Sequence, residues 1–200
     1  MTSTFNHALH VRRALSVLLG SLIIVSAQAA TVVRGIAFPD TVECGQQTLQ
    51  LNGAGVRVKV IFDIYAASLY LPRKQSSAET ALGLPGPKSV QAVMLRDLTS
   101  DEFVGAMIKG FKDNNSASDQ ARLAPQLERL QGMMQSVGKA PKGTVLRLDF
   151  VPGSGTRITV DGQVRGADIP GDDFYQALMR IWLGPKPVDA DLKSALLGGK

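Results

Sequence analysis

The chain has 200 residues, a net charge of +5, 44% hydrophobic residues and one cysteine, Cys44. A lone cysteine excludes an intramolecular disulfide and a Cys-rich metal centre. The basic residues are scattered, with no aromatic-rich basic strand or helix, which argues against nucleic acid as a partner and leaves only a modest preference for anionic ligands.

The first element is a targeting segment. Arg12 and Arg13, the apolar stretch from Ala14 to Ala27, and Ala27-Gln28-Ala29 as an A-x-A cleavage site predict a signal peptide over residues 1–30. Cleavage near Ala29 or Ala30 then leaves residues 31–200 as a single domain, periplasmic or secreted and without stable membrane insertion. Both histidines, His7 and His10, fall in the leader. The mature domain thus has no imidazole, which removes Ser-His-Asp hydrolysis, Cys-His proteolysis and His-ligated zinc chemistry. No metal and no cofactor is expected. Nothing around Cys44 lowers its pKa, so a small buried residue is expected there, not a reactive thiol.

In chain order, Thr48 to Leu51 reads as a strand followed by a turn at Asn52-Gly53 with Gly55. Val56 to Leu71 alternates over sixteen residues, too long for one ordinary strand, so a bend or tight turn is expected between Lys59 and Tyr65. Ser76 to Pro87 reads as a loop and Lys88 to Arg96 as a strand. Thr99 and Glu102 form a capping box before a helix with Val104, Met107, Ile108 and Phe111 on one face. After a loop from Asn114 to Ser118, a second helix carries Leu123, Leu127, Leu130, Met134 and Val137, with Pro125 in its first turn and Gly138 as its stop. Thr144 to Val151 and Thr156 to Val160 make a hairpin around Pro152-Gly153-Ser154-Gly155, and Asp161-Gly162 leads into Gln163 to Ile169. A third helix runs from Asp172 to Leu183 with Asp172 as its N-cap, and a short one follows near Asp191 to Leu197. This order is α+β.

Several segments together resemble a known pattern. Leu51-Asn52-Gly53-Ala54-Gly55-Val56-Arg57 and Ile64-Tyr65-Ala66-Ala67-Ser68-Leu69-Tyr70-Leu71-Pro72 are similar to the core of chalcone isomerase-like proteins. Leu95-Arg96-Asp97, Pro152 to Thr156, Ile169 to Phe174 and Ile181-Trp182-Leu183-Gly184 continue the resemblance, which spans Gly35 to Gly198. It implies an open-faced β-sandwich, a large antiparallel sheet packed against a layer of helices, with a ligand cleft between them.

The resemblance also implies roles. Arg57 matches the arginine that polarises the substrate ketone in the plant enzymes; from the residues alone, an arginine on a solvent face or paired with Asp63 is the alternative. Tyr65 stands where the plant enzymes have threonine. Fatty-acid-binding relatives hold a carboxylate with an arginine and a tyrosine, and Arg57 and Tyr65 share one face of the strand segment. A core tyrosine is the competing reading for Tyr65, and Tyr70 is assigned to the core. The tyrosine and asparagine that the plant enzymes carry on a helix over the substrate have no match between Ser118 and Gly138, and Asn114 and Asn115 lie too early to replace them. The expected function is non-catalytic binding of a small apolar ligand with a carboxylate or carbonyl head, such as a fatty acid, through Arg57 and Tyr65. An intramolecular lyase with Arg57 as electrophile is the alternative, and a scaffold with a collapsed cleft the third. Gly166 to Asp173, with Asp168, Asp172 and Asp173, is not taken as a calcium loop.

Overall fold

The computed structural model describes residues 30–199, so the expected leader, apart from Ala30, lies outside the described residues. A short hairpin, β1 (Ala30–Val33) and β2 (Ile36–Pro39), comes first. Then follow β3 (Thr41–Cys44), β4 (Gln47–Lys59), β5 (Phe62–Leu71), helix α1 (Ala78–Gly83) and β6 (Lys88–Met94). Next, β7 (Leu98–Thr99) runs into α2 (Ser100–Asn114), α3 (Ala117–Arg122) and α4 (Ala124–Gln135). The chain closes with β8 (Lys139–Ala140), β9 (Val145–Val151), β10 (Gly155–Val160), β11 (Gln163–Val164), α5 (Asp172–Leu183) and α6 (Ala190–Leu196).

Seven strands form one antiparallel sheet in the order β11-β10-β9-β6-β5-β4-β3. On one face, alternate side chains such as Tyr65, Leu69, Val90, Ala92, Leu146, Leu148 and Ile158 meet the buried faces of α2, α4, α5 and α6. The other face is covered only in part, where Phe38 of β2 packs with Cys44, Leu49, Leu51 and Tyr70. This is the expected sheet with one helix layer, open on its far side. No helix among the described residues is long and apolar enough to cross a membrane.

Local chemistry sets the boundaries. The Thr99 hydroxyl accepts from the Glu102 amide and the Glu102 carboxylate accepts from the Thr99 amide, so the expected capping box opens α2. Helix α5 spans the expected Asp172–Leu183 and buries Phe174, Ala177, Leu178, Ile181 and Trp182, each large side chain worth about 1.5–3 kcal/mol. Its N-cap, however, is Gly171, whose φ of 114° no other residue adopts easily, and Asp172 is the first helical residue. The loop expected over Ser76 to Pro87 contains α1, started by the Ser77 hydroxyl accepting from the Thr80 amide. Gln163 to Ile169 is a strand for only two residues, after which Ile169 alone rejoins Thr156.

The largest difference lies at Asn52-Gly53, where a turn was expected. Strand β4 continues through it, with one unpaired residue between the pairs Leu51–Tyr70 and Gly53–Leu69. That bulge changes the side on which odd-numbered residues fall. Leu49 and Leu51 point to the outer face, whereas Gly53, Gly55 and Arg57 point to the helices. The Asn52 amide nitrogen donates to Leu196 O and Gln75 O, and its oxygen accepts from the Gln75 amide, which holds the bulge in place. The turn expected between Lys59 and Tyr65 is a tight one at Val60-Ile61.

Candidate functional site

Helix α6 lies directly on β4. A Cβ on Gly53 would stand 2.0 Å from Ala195 O and one on Gly55 2.7 Å from the Ala195 Cβ, so these glycines admit the helix backbone where any larger residue would displace it. With α6 seated, Asp189 caps it by accepting from the Leu192 amide, and its second oxygen accepts from the Val58 amide at 2.9 Å. Strand and helix are thereby tied together one residue beyond Arg57.

Arg57 and Tyr65 are direct partners across the β4–β5 hairpin. The two residues thus meet on neighbouring strands of the turn, not along one strand. The guanidinium carbon lies 5.5 Å from the Tyr65 ring centroid. Among the described residues Arg57 has no ion pair, and its buried Nε has no hydrogen-bond partner. The expected alternative pairing with Asp63 does not occur, because Asp63 is bound to Arg34 at 2.9 Å.

Tyr65 is 2% exposed, and its hydroxyl oxygen accepts from the indole Nε1 of Trp182 at 2.9 Å. Because the indole nitrogen can only donate, the phenol proton is left free to be donated elsewhere. Burial pushes the phenol pKa up, against the lowering influence of Arg57 and Trp182, so Tyr65 is a neutral donor and not a base. Positive charge and hydroxyl donor converge, and among the described residues no carboxylate is ion-paired to Arg57, although Asp189 acts on the Tyr65 phenol and Asp101, Glu102 and Asp113 line the groove beside Arg57. Such a pair complements a head group that only accepts hydrogen bonds.

Two spaces adjoin Arg57. One is a small apolar space of about 10 Å³ between Tyr65, Phe103, Met107, Ile181, Trp182 and Val188, room for a single water at most. The other is an open groove of about 590 Å³ between Arg57–Lys59, α2 and Lys186–Val188. Beyond Phe103 lies a second small apolar space, about 20 Å³, lined by Met94, Met134, Val137, Leu146 and Val160.

The profile of the chalcone isomerase-like family matches residues 30–198. This chain belongs to that family. Its fold is similar to the crystal structure of a fatty-acid binding protein of Arabidopsis thaliana, with a TM-score of 0.64 at 16% identity, over 82% of this chain and 92% of that one. Among curated proteins nothing matches the sequence.

Other residues of this chalcone isomerase-like domain have structural tasks. Asn114 donates to Gly110 O and Lys186 O and accepts from the Lys186 amide; Asn115 donates to Phe111 O and Ala177 O and accepts from Arg180. Tyr70 is fully buried and donates to Pro39 O. Asp168 is held by Arg157. Sequence reasoning missed Trp182 as a site residue, having absorbed it into the apolar face of α5. The available signal was its polar handle, since a buried indole N–H needs an acceptor. Asn52 and Asp189 gave no such signal.

Proposed function

We propose that this chain is an exported, non-catalytic binder of an apolar molecule with a carboxylate or carbonyl head, a fatty acid being the representative case. Arg57 and Tyr65 hold the head. The observation that carries this reading is the guanidinium of Arg57, half-buried beside a phenol donor and without an ion pair among the described residues. A desolvated cation with no partner is costly, and an anionic ligand removes that cost. The fatty-acid binding relative, similar in fold, supports the ligand class.

The tail requires movement, because the apolar space beside Arg57 holds about 10 Å³. The walls of the two apolar spaces suit movement: Met107 in the first and Met94 and Met134 in the second are unbranched and adaptable, and Phe103 alone lines both. Turning Phe103 aside joins the two into one path for an acyl chain. Catalytic ring closure has less support. Helix α2 presents Phe103, Ala106 and Met107 toward Arg57, the mature domain lacks histidine, and Tyr65 is held neutral.

Native mass spectrometry with lipid extraction on residues 31–200, beside Arg57→Ala, tests the reading. A bound acyl species in the parent that disappears in the variant is expected. An empty parent, or identical cargo in both, would overturn it.

A further inference from the structure

Six large apolar side chains are exposed among the described residues, and four of them lie within five consecutive positions at the tip of the β4–β5 hairpin. Val58, Val60, Ile61 and Phe62 are 40, 88, 78 and 54% exposed. The apex is the two-residue turn Val60-Ile61, between the paired Lys59 and Phe62. Val60 has a φ of 62°, in the left-handed region that a β-branched residue strongly resists. A tight hairpin normally places Asn, Asp or Gly at such a position, as this chain does with Asp161-Gly162 between β10 and β11. The apex is therefore opposed by its backbone and by water at once, and neither Val60 nor Ile61 touches the core clusters that could compensate.

We infer that this tip is a membrane-docking device that dips its apolar apex into the interfacial layer of a lipid bilayer. A convex two-residue apex offers neither a groove nor the roughly 800 Å² that a stable protein interface takes from each partner. A bilayer needs neither, since it closes around a small protruding tip. The base of the tip has the charge such a surface selects. Lys59 faces Phe62 in register, and the Arg96 guanidinium lies 4.9 Å from the Phe62 ring centroid, so two cations ring the apolar apex where phosphate headgroups would meet it. Of the acids near the base, Asp63 is held by Arg34, Glu102 by the Thr99 amide and hydroxyl, and Asp97 by the Lys142 amide, while Asp101 and Glu102 line the groove behind Lys59.

The tip also continues into the candidate site. Arg57, Val58 and Lys59 line the 590 Å³ groove, so a docked hairpin sets the mouth of the groove at the headgroup layer. Exchange of an acyl ligand with the membrane then needs no passage through water. Docking stands on the tip alone; the exchange role rests on the proposed function.

The full-length chain with Ile61→Cys carries an environment-sensitive nitrobenzoxadiazole label, with Ser154→Cys, at the opposite end of the sheet, as the control. Cys44 is 3% exposed with its thiol pushed up to about 12, so it stays unlabelled. With vesicles of mixed phosphatidylcholine and phosphatidylglycerol, the label at position 61 blue-shifts and brightens while that at 154 stays aqueous. This readout is blind to binding through the leader. A label at 61 that remains aqueous on vesicle-bound chain overturns the inference, as does a shift that rises with protein concentration in the absence of vesicles, which would report a second copy.

The companion variant, Val60→Asn with Ile61→Gly, gives the turn residues it conformationally prefers. It retains or raises thermal stability yet lowers vesicle affinity at the tip by about tenfold or more, read by loss of headgroup-quencher contact from a label at Lys59→Cys. Unchanged affinity sinks the proposal. Arg57→Ala separates the two readings, since it empties the lipid site and leaves the label at 61 responding to vesicles.

Discussion

The two faces of the sheet treat arginine differently. On the outer face, Arg157 holds Asp168 through two parallel hydrogen bonds of 2.9 and 2.7 Å, and Arg147 binds Asp149 and the carbonyl of Glu43. On the helix face Arg57 has a phenol ring beside it, a buried Nε without a partner and, among the described residues, no ion pair. An arginine that serves the fold brings its counterion in the same chain. One that lacks it has only the Tyr65 ring beside its charge, which on the proposed function leaves it for an anionic head group. The contrast is sharper because Arg57 is aimed inward by the bulge at Asn52, itself fixed by three hydrogen bonds. The bulge thus sets a cation beside Tyr65 without an ion pair among the described residues.

The largest effect expected from this contrast is on Arg57. Arg57→Met should weaken retention of an acyl ligand by about tenfold to a hundredfold, the loss of a charge-assisted hydrogen bond, while the thermal midpoint stays level or rises. Titration with a fluorescent fatty acid and calorimetry of the empty protein check the two halves. A marked fall in the midpoint would make Arg57 structural and erase the distinction. Arg157→Met should do the opposite. It leaves Asp168 without its partner and should lower stability by about 1–2 kcal/mol, measured by urea unfolding, with ligand retention unchanged; the pair's partial exposure keeps the figure below that of a fully buried one.

Much of this arrangement was legible in the sequence, for reasons that can be named. Helices α2 and α5 declare themselves through the Thr99–Glu102 box and the 3.6-residue spacing of Phe174, Ala177, Leu178 and Ile181, which are local signals. Arg57 and Tyr65 were expected on one face of a single strand segment, and they lie side by side. The actual route by which they meet was not legible, because it depends on two register shifts in β4 and β5 that alternation cannot report. Asn52-Gly53-Ala54-Gly55 has the composition of a turn, yet its glycines are there because α6 lies across them, a contact between residues some 140 positions apart that no local rule detects. Trp182 was hidden for the same kind of reason: its partner Tyr65 is distant in sequence.

A third test uses the lone cysteine on the outer face. Cys44 is buried, its thiol lies 3.5 Å from Phe150 O, and burial with Asp149 nearby pushes its pKa from 9.0 to about 12. The fold therefore favours the protonated thiol. Its contribution to stability is fully present below the unfolded value near pH 9 and is lost as pH rises toward 12. At pH 10 this amounts to on the order of 1 kcal/mol. The buried phenols of Tyr65 and Tyr175 shift in the same sense and steepen the same limb. Cys44→Ala should flatten stability between pH 9 and 11 relative to the parent in urea titrations. An unchanged alkaline limb would assign the whole dependence to the tyrosines.

The smallest effect expected is the most specific to the helix face. Trp182→Phe keeps most of the ring volume and removes only the N–H that Tyr65 accepts. With that donor gone, the Tyr65 hydroxyl can turn and its proton is no longer directed at the head group beside Arg57. The loss in affinity should be about threefold to fivefold, matching a positional contribution of about 0.5–1 kcal/mol. Tyr65→Phe should lose at least as much, and the double variant no more than the larger single effect, because the indole acts on the ligand only through the phenol. Additive losses would mean that Trp182 meets the ligand itself, and the site would then have three contacts where the proposed one has two.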